Sequence, residues 1–150
     1  MSHLEVSNEN GIATLTMNRS EARNALSMEM RKELTDVLHD VERDNSVRCV
    51  LLKGAGDHFM AGGDVKGMGD SIKKSPEEIK KEFMLRIHDL HPIMFAMRRM
   101  PKPIVASCRG AAAGAGVSIA LACDLVIAAE DAFFTLAYCK IGTSPDGSSS

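Results

Sequence analysis

Apolar and polar residues alternate from Ile12 to Met17, with Thr14 and Thr16 interleaved, which predicts a half-buried strand. A turn-rich patch, Asn18 to Asn24, follows. Met28, Leu34, Val37, Leu38 and Val41 then recur at helical spacing, and Ser27 is placed to cap a helix running to about Asp44. Val47 to Lys53 is a near-continuous apolar run, the pattern of a strand covered on both faces. Strand, helix and strand within about forty residues predict a parallel βαβ unit with a right-handed crossover.

Gly54 to Gly69 reads as a glycine-rich loop, and Pro76 to about Met100 as one charged helix with Phe83, Ile87, Leu90 and Met94 on a single face. Met100-Pro-Lys-Pro103 stops it. Ile104 to Ser107 predicts a strand, and Gly110 to Gly116 a second glycine-rich loop opening into a helix that ends near Cys123. Leu125 to Ala129 predicts a short buried strand, Ala132 to Leu136 another, and Ser144-Pro-Asp-Gly147 a turn. The sum is an α/β architecture in which strands end in loops that open into helices. Ligands gather at the carboxyl ends of such strands, and helix N-terminal amides attract negative charge.

Composition narrows the function classes. A chain of 150 residues is one domain or part of a larger one. The net charge of −2 gives no footprint for nucleic acid and no reason to expect an anionic membrane partner. Gly110 to Ala129 carries Asp124 as its only charge, but three glycines weaken it as a helix and Asp124 would be costly in lipid, so a membrane span is set aside. Cys49, Cys108, Cys123 and Cys139 are scattered without a CxxC pair, as expected of buried free thiols in a reducing compartment. The N-terminus shows no basic region followed by an apolar run, so a cytoplasmic location is expected.

The chemistry sits in the two loops. Phe59-Met-Ala-Gly-Gly-Asp-Val-Lys66 can turn backbone N–H groups toward a ligand, and Asp64 is placed to cap a following helix; alone, it reads as a tight turn. It is no P-loop, because no Gly-Lys-Ser/Thr follows. Gly110-Ala-Ala-Ala-Gly-Ala-Gly116 fails as a dinucleotide fingerprint, since Ile119 stands at the third glycine position, and alone it reads as close helix–strand packing. Ser118 lacks the second glycine of a nucleophile elbow. Together, two such loops can aim two N–H groups at one oxygen, an oxyanion hole for a thioester enolate or tetrahedral anion.

Met17-Asn-Arg-Ser-Glu-Ala-Arg-Asn-Ala-Leu26, Phe59 to Lys66, and Lys102-Pro-Ile-Val-Ala-Ser-Cys-Arg-Gly110 continued to Cys123-Asp124 resemble, in order and spacing, the crotonase (enoyl-CoA hydratase/isomerase) family. The resemblance implies a crotonase fold, a spiral of ββα units, acting on an acyl-CoA thioester. Coenzyme A would be part of the substrate, with no separate cofactor and no metal. It places the oxyanion hole on the N–H groups of Gly63 and Ala115, the latter a departure from the family's usual glycine. It places the adenine and pantetheine against Arg23, Ala25, Leu26, Ala61, Gly62, Asp64, Val65 and Lys66, with Gly114 and Tyr138 completing the substrate contacts. Lys66 and Arg23 are the natural partners for phosphates.

By register, the two hydratase glutamates fall on Ser118 and Tyr138, so water addition by a carboxylate pair is not expected. Asp146 resembles the single acid that some isomerases of the family place at this turn, although a Pro-Asp-Gly turn alone would also explain it. One carboxylate suffices to shift a double bond by moving a proton. The expected activity is therefore an enoyl-CoA isomerase. Alternatives are an enoyl-CoA hydratase, a hydrolytic dehalogenase using an Asp with a histidine base, or a non-catalytic CoA-binding homologue. His88 and His91, spaced i, i+3, read as helix-surface residues. Residues 1–150 are expected to form the acyl-CoA-binding core without the family's C-terminal helices. A full-length chain of the family implies a homotrimer or dimer of trimers.

Overall fold

The structure, a computed structural model, describes residues 2–65, 69 and 74–147. Strand β1 (Leu4–Glu9) pairs antiparallel with β2 (Ile12–Met17). The expected pattern lacked β1, because only its first residue is buried and no apolar alternation marks it. Its signal was Asn10-Gly11, whose positive φ angles of 53° and 82° are those of a two-residue hairpin turn.

Helix α1 (Met28–Arg43) follows, capped as expected by Ser27, whose hydroxyl accepts from the Met30 N–H at 3.1 Å. It leads to β3 (Cys49–Gly54), then α2 (Pro76–His88) and α3 (His91–Arg99). Where one helix to Met100 was expected, there are two. Pro92 has no N–H to offer the carbonyl of His88, so the helical ladder cannot cross Asp89 and Leu90. The break divides the expected apolar face: Leu90 and Met94 enter the core, while Phe83 and Ile87 stay half-buried.

Beyond β4 (Ile104–Cys108), the expected loop at Gly110–Gly116 contains a short strand, β5 (Ala111–Ala113), before α4 (Ala115–Ala122). Strands β6 (Leu125–Ala128) and β7 (Phe133–Thr135) follow, then a 3-10 turn, Tyr138–Ile141. The main sheet runs β1-β2-β3-β4-β6, parallel from β2 onward, and β5 pairs parallel with β7 in a second small sheet. This mixed α/β arrangement delivers the carboxyl ends of the strands to one region. β6 was expected to be buried; all four of its residues are exposed, Ile127 to 64%, because nothing among the described residues covers either of its faces.

The core lies where α1, α3 and α4 meet the sheet. Met30, Leu34, Leu38, Ile93, Met97 and Ile119 pack with Leu15, Val50, Leu52 and Ile104. Small residues permit close approach: a Cβ added to Gly116 would lie 2.5 Å from the Met60 carbonyl oxygen. No described helix is long and apolar enough to cross a membrane.

Asn24 ties the turn-rich patch to the first glycine loop. It is fully buried, its Oδ1 accepts from the Arg19 N–H at 2.9 Å, and its Nδ2 donates to the carbonyls of Ala55 and His58 at 2.9 and 2.7 Å. Asn24→Asp keeps the shape but sets an acceptor against two carbonyls. The expected cost is about 2–4 kcal/mol of folding stability, measured by urea unfolding. A loss below about 0.5 kcal/mol, the size of an ordinary surface substitution, would show that the clamp is dispensable.

Candidate active site

The first glycine loop is held along both edges by backbone hydrogen bonds. On one side Met60 N–H donates to Ala111 at 3.0 Å and Ala113 N–H donates to Met60 at 2.9 Å. On the other, Ala61 N–H donates to Arg23 at 2.9 Å and Leu26 N–H donates to Gly62 at 2.8 Å. The Gly62 φ of 105° breaks the strand alternation, so that its carbonyl faces Leu26 on the same side as the Ala61 N–H, and a Cβ there would crowd the Ala113 carbonyl at 3.1 Å. Leu26 makes a parallel bridge to Gly63 in which Leu26 supplies the bonding groups, so the Gly63 N–H turns away from it.

Gly114 N–H donates to Thr135 at 2.9 Å, which fixes the start of α4. Ala115 is the first residue of that helix, where an N–H has no intrahelical acceptor. Neither the Gly63 nor the Ala115 amide donates to a backbone acceptor among the described residues. Both residues line one cavity of about 550 Å³. Such a pair of amides can receive a developing oxyanion.

The same cavity brings together Ala61, Gly62, Val65, Gly114, Tyr138 and Asp146 from the expected set. Arg23, Ala25, Leu26 and Asp64 stand behind it. The Arg23 and Leu26 backbones hold the loop, the Ala25 carbonyl accepts from Arg19 Nη1 at 2.7 Å, and Asp64 pairs with Arg19 at 3.1 Å. Lys66 and the segment that Asp64 was expected to cap lie outside the described residues. Phe83 and Ile87 of α2 add apolar wall.

Ser118, Tyr138 and Asp146 form one polar cluster. Tyr138 Oη donates to Asp146 Oδ1 at 2.7 Å and lies 3.2 Å from Ser118 Oγ, which donates to the Asp146 backbone carbonyl at 2.9 Å. Ser118 and Tyr138 are buried, while Asp146 is half-buried at the cavity edge. Tyr138, expected among the substrate contacts, is thus also the partner of the carboxylate. His88 and His91 lie 6.2 Å apart, ring centre to ring centre, with His91 against Phe95, and neither is among the cavity residues.

Sequence reasoning missed three cations lining the cavity: Arg31, Arg86 and Lys140. The signal for Arg31 was its place three residues before Leu34, on the buried stripe of α1. Burial lowers its pKa, and Asp146 is the charge that opposes that most.

Comparison with known proteins gives one consistent result. The family model for enoyl-CoA hydratase/isomerase matches residues 7–150. A 1,2-epoxyphenylacetyl-CoA isomerase from Escherichia coli (strain K12) is 38% identical over 142 residues, 92% of this chain and 52% of that protein. A 4-chlorobenzoyl coenzyme A dehalogenase-2 from Arthrobacter sp. is 34% identical over 149 residues, 99% of this chain and 52% of that protein. An enoyl-CoA hydratase from Polaromonas sp. JS666 superposes with a TM-score of 0.87 at 36% identity, covering 96% of this chain and 55% of that one. The chain spans about half the length of the curated relatives it matches.

The thiols divide by burial rather than sharing the expected buried setting. Cys108 and Cys123 are buried, Cys49 is half-buried and Cys139 is exposed. Desolvation pushes Cys108 up to about 11 and Cys123 up to about 12, so neither is a thiolate near neutrality. Alkylation with iodoacetamide at pH 8 should label Cys139 first and reach Cys108 and Cys123 only on unfolding, as read by peptide mass. The unfolded chain loses these protons from about pH 9 while the fold retains them, so folding stability should fall as pH rises from there toward 11.

Proposed function

Because the chain belongs to the enoyl-CoA hydratase/isomerase family, we propose that its whole protein shifts a double bond along an acyl-CoA thioester, with Asp146 carrying the proton. The observation that carries the reading is the Asp146 carboxylate, held by Tyr138 Oη at 2.7 Å in the cavity that Gly63 and Ala115 also line. Asp146 removes a proton α or γ to the thioester and returns it at the other end of the conjugated system. The negative charge passes to the thioester oxygen, where the Gly63 and Ala115 N–H groups receive it. No metal or redox cofactor is needed for that sequence. The CoA portion is proposed to lie along Arg23–Leu26 and Ala61–Val65, with Lys66 outside the described residues.

Two features favour proton transfer over the sister chemistries. Ser118 and Tyr138, at the register of the hydratase glutamates, are not carboxylates and bond to each other and to Asp146. No histidine is among the described residues of the cavity, which leaves displacement by the Asp146 carboxylate without a separate base for water. For the full-length protein we propose a homotrimer or dimer of trimers. The exposed apolar side chains of β6 and β7, Leu125, Ile127 and Phe133 among them, support an assembled state that covers them.

Asp146→Asn keeps the turn and a group that Tyr138 can meet, but removes the base. Isomerisation of a 3-enoyl-CoA by the full-length enzyme, and solvent-deuterium exchange at its α-carbon, should both fall by about 10²- to 10⁴-fold. Tyr138→Phe should cost about 10- to 100-fold, the worth of one hydrogen bond to a charged group. Hydration of crotonyl-CoA should stay well below about 1 per second, the low end of ordinary enzymic turnover. An Asp146→Asn enzyme within about threefold of wild type in both assays would sink the mechanism, since it falls far short of general-base loss.

A further inference from the structure

Helix α4 carries one polar side chain, Ser118, in an otherwise apolar sequence. Ser118 is buried to 2% exposure. A buried hydroxyl is costly unless it is bonded, and serine is a poorer helix former than alanine. Alanine would fill the same place with neither cost. Packing alone therefore does not call for a serine here.

The bonds of that hydroxyl all lead to Asp146. Ser118 Oγ donates to the Asp146 backbone carbonyl at 2.9 Å and lies 3.2 Å from Tyr138 Oη. Tyr138 has one proton and meets two acceptors on Asp146, the carboxylate Oδ1 at 2.7 Å and the carbonyl at 3.4 Å. Because Ser118 donates to the carbonyl, the tyrosine proton is left to the carboxylate. The turn also presses on the serine. Gly147 is buried with a φ of 58°, and a Cβ there would lie 2.9 Å from Ser118 Cβ and 3.1 Å from Leu90 Cδ2. A hydrogen bond at Asp146 and close contact at Gly147 seat the turn on α4.

We propose that Ser118 is a positioning residue for the proton-carrying acid: it docks the Asp146 turn on α4 and commits the Tyr138 proton to the carboxylate. This rests on the reading of Asp146 as the base of a double-bond shift. The consequence is geometric. Ala115, whose amide is offered to the enolate oxygen, opens α4, and Ser118 follows three residues later. Three residues of α-helix rise about 4.5 Å. One rigid turn of helix then sets the span between the oxyanion amide and the anchor of the acid. Misplacing a reacting group by about 1 Å can cost about 100-fold in rate, so such an anchor matters to turnover.

The test uses the full-length enzyme with Ser118→Ala, which removes the hydroxyl, and Ser118→Cys, which fills the space with a weak donor. Both should lower kcat for 3-enoyl-CoA isomerisation and for α-carbon deuterium exchange by about tenfold. Calorimetry with saturated hexanoyl-CoA should show binding within about twofold of wild type, because only the transition state needs the placed acid. In an Asp146→Asn background, Ser118→Ala should add less than about twofold, since the serine acts through that acid. Wild-type kcat in folded Ser118→Ala or in Ser118→Cys overturns the proposal, the second because a mere space-filler would be rescued by sulfur. So does a loss that adds in full to that of Asp146→Asn. Backbone hydrogen exchange of residues 144–147, read by mass spectrometry, follows the docking apart from turnover. It should quicken at least about threefold in Ser118→Ala while α1 stays unchanged. Faster exchange in a protein without isomerase activity supports the docking and removes the isomerase. Unchanged exchange and kcat beside an inactive Asp146→Asn does the reverse.

Discussion

The backbone hydrogen bonds on both edges of Met60–Gly63 are the constraint on which the site depends. Ala111 and Ala113 hold one edge, Arg23 and Leu26 the other, and the positive φ of Gly62 keeps its carbonyl on the Leu26 side. Once those bonds are made, the Gly63 amide has no backbone acceptor among the described residues. The Ala115 amide is left over for a different reason, because every helix begins with unmatched donors. Two residues with surplus N–H groups, one from a glycine loop and one from a helix end, line one cavity.

The rest of the fold brings those two ends together and keeps them there. Parallel strands place loop after loop at the same edge of the sheet, and β5–β7 fixes Gly114 against Thr135. Gly116 lets α4 press on the Met60 backbone, where any side chain would collide. Asn24 holds the turn-rich patch to the loop from behind through three hydrogen bonds. The Ser118–Tyr138–Asp146 cluster then sets a carboxylate at the cavity edge with its orientation fixed by neighbours.

Periodicity and turn chemistry made most of the elements legible. The apolar stripe of α1, its Ser27 cap, and the apolar runs of β3 and β4 depend on neighbours a few residues away, and the sequence displays these directly. The first glycine loop was also legible, because adjacent glycines have few other uses, whereas the second expected loop contains the short strand β5. The missed features have local causes that a pattern of apolar residues does not weigh. A polar hairpin strand, β1, showed itself only through Asn10-Gly11, and the helix break only through Pro92.

What the sequence by itself determined was most of the elements and the first glycine loop. Tertiary structure alone decided how side chains distant along the chain pair off. That Tyr138 meets the Asp146 carboxylate, that Ser118 joins them, and that Arg31 donates to the Arg86 carbonyl follow from contacts across 8, 28 and 55 residues of chain. Burial behaves the same way. β6 is as apolar as β3, yet β6 is exposed because neither of its faces is covered among the described residues, while α1, α3 and α4 cover the face of β3 that carries Val50 and Leu52. Local pattern reports what a residue prefers, and only the folded arrangement decides which neighbours it finds.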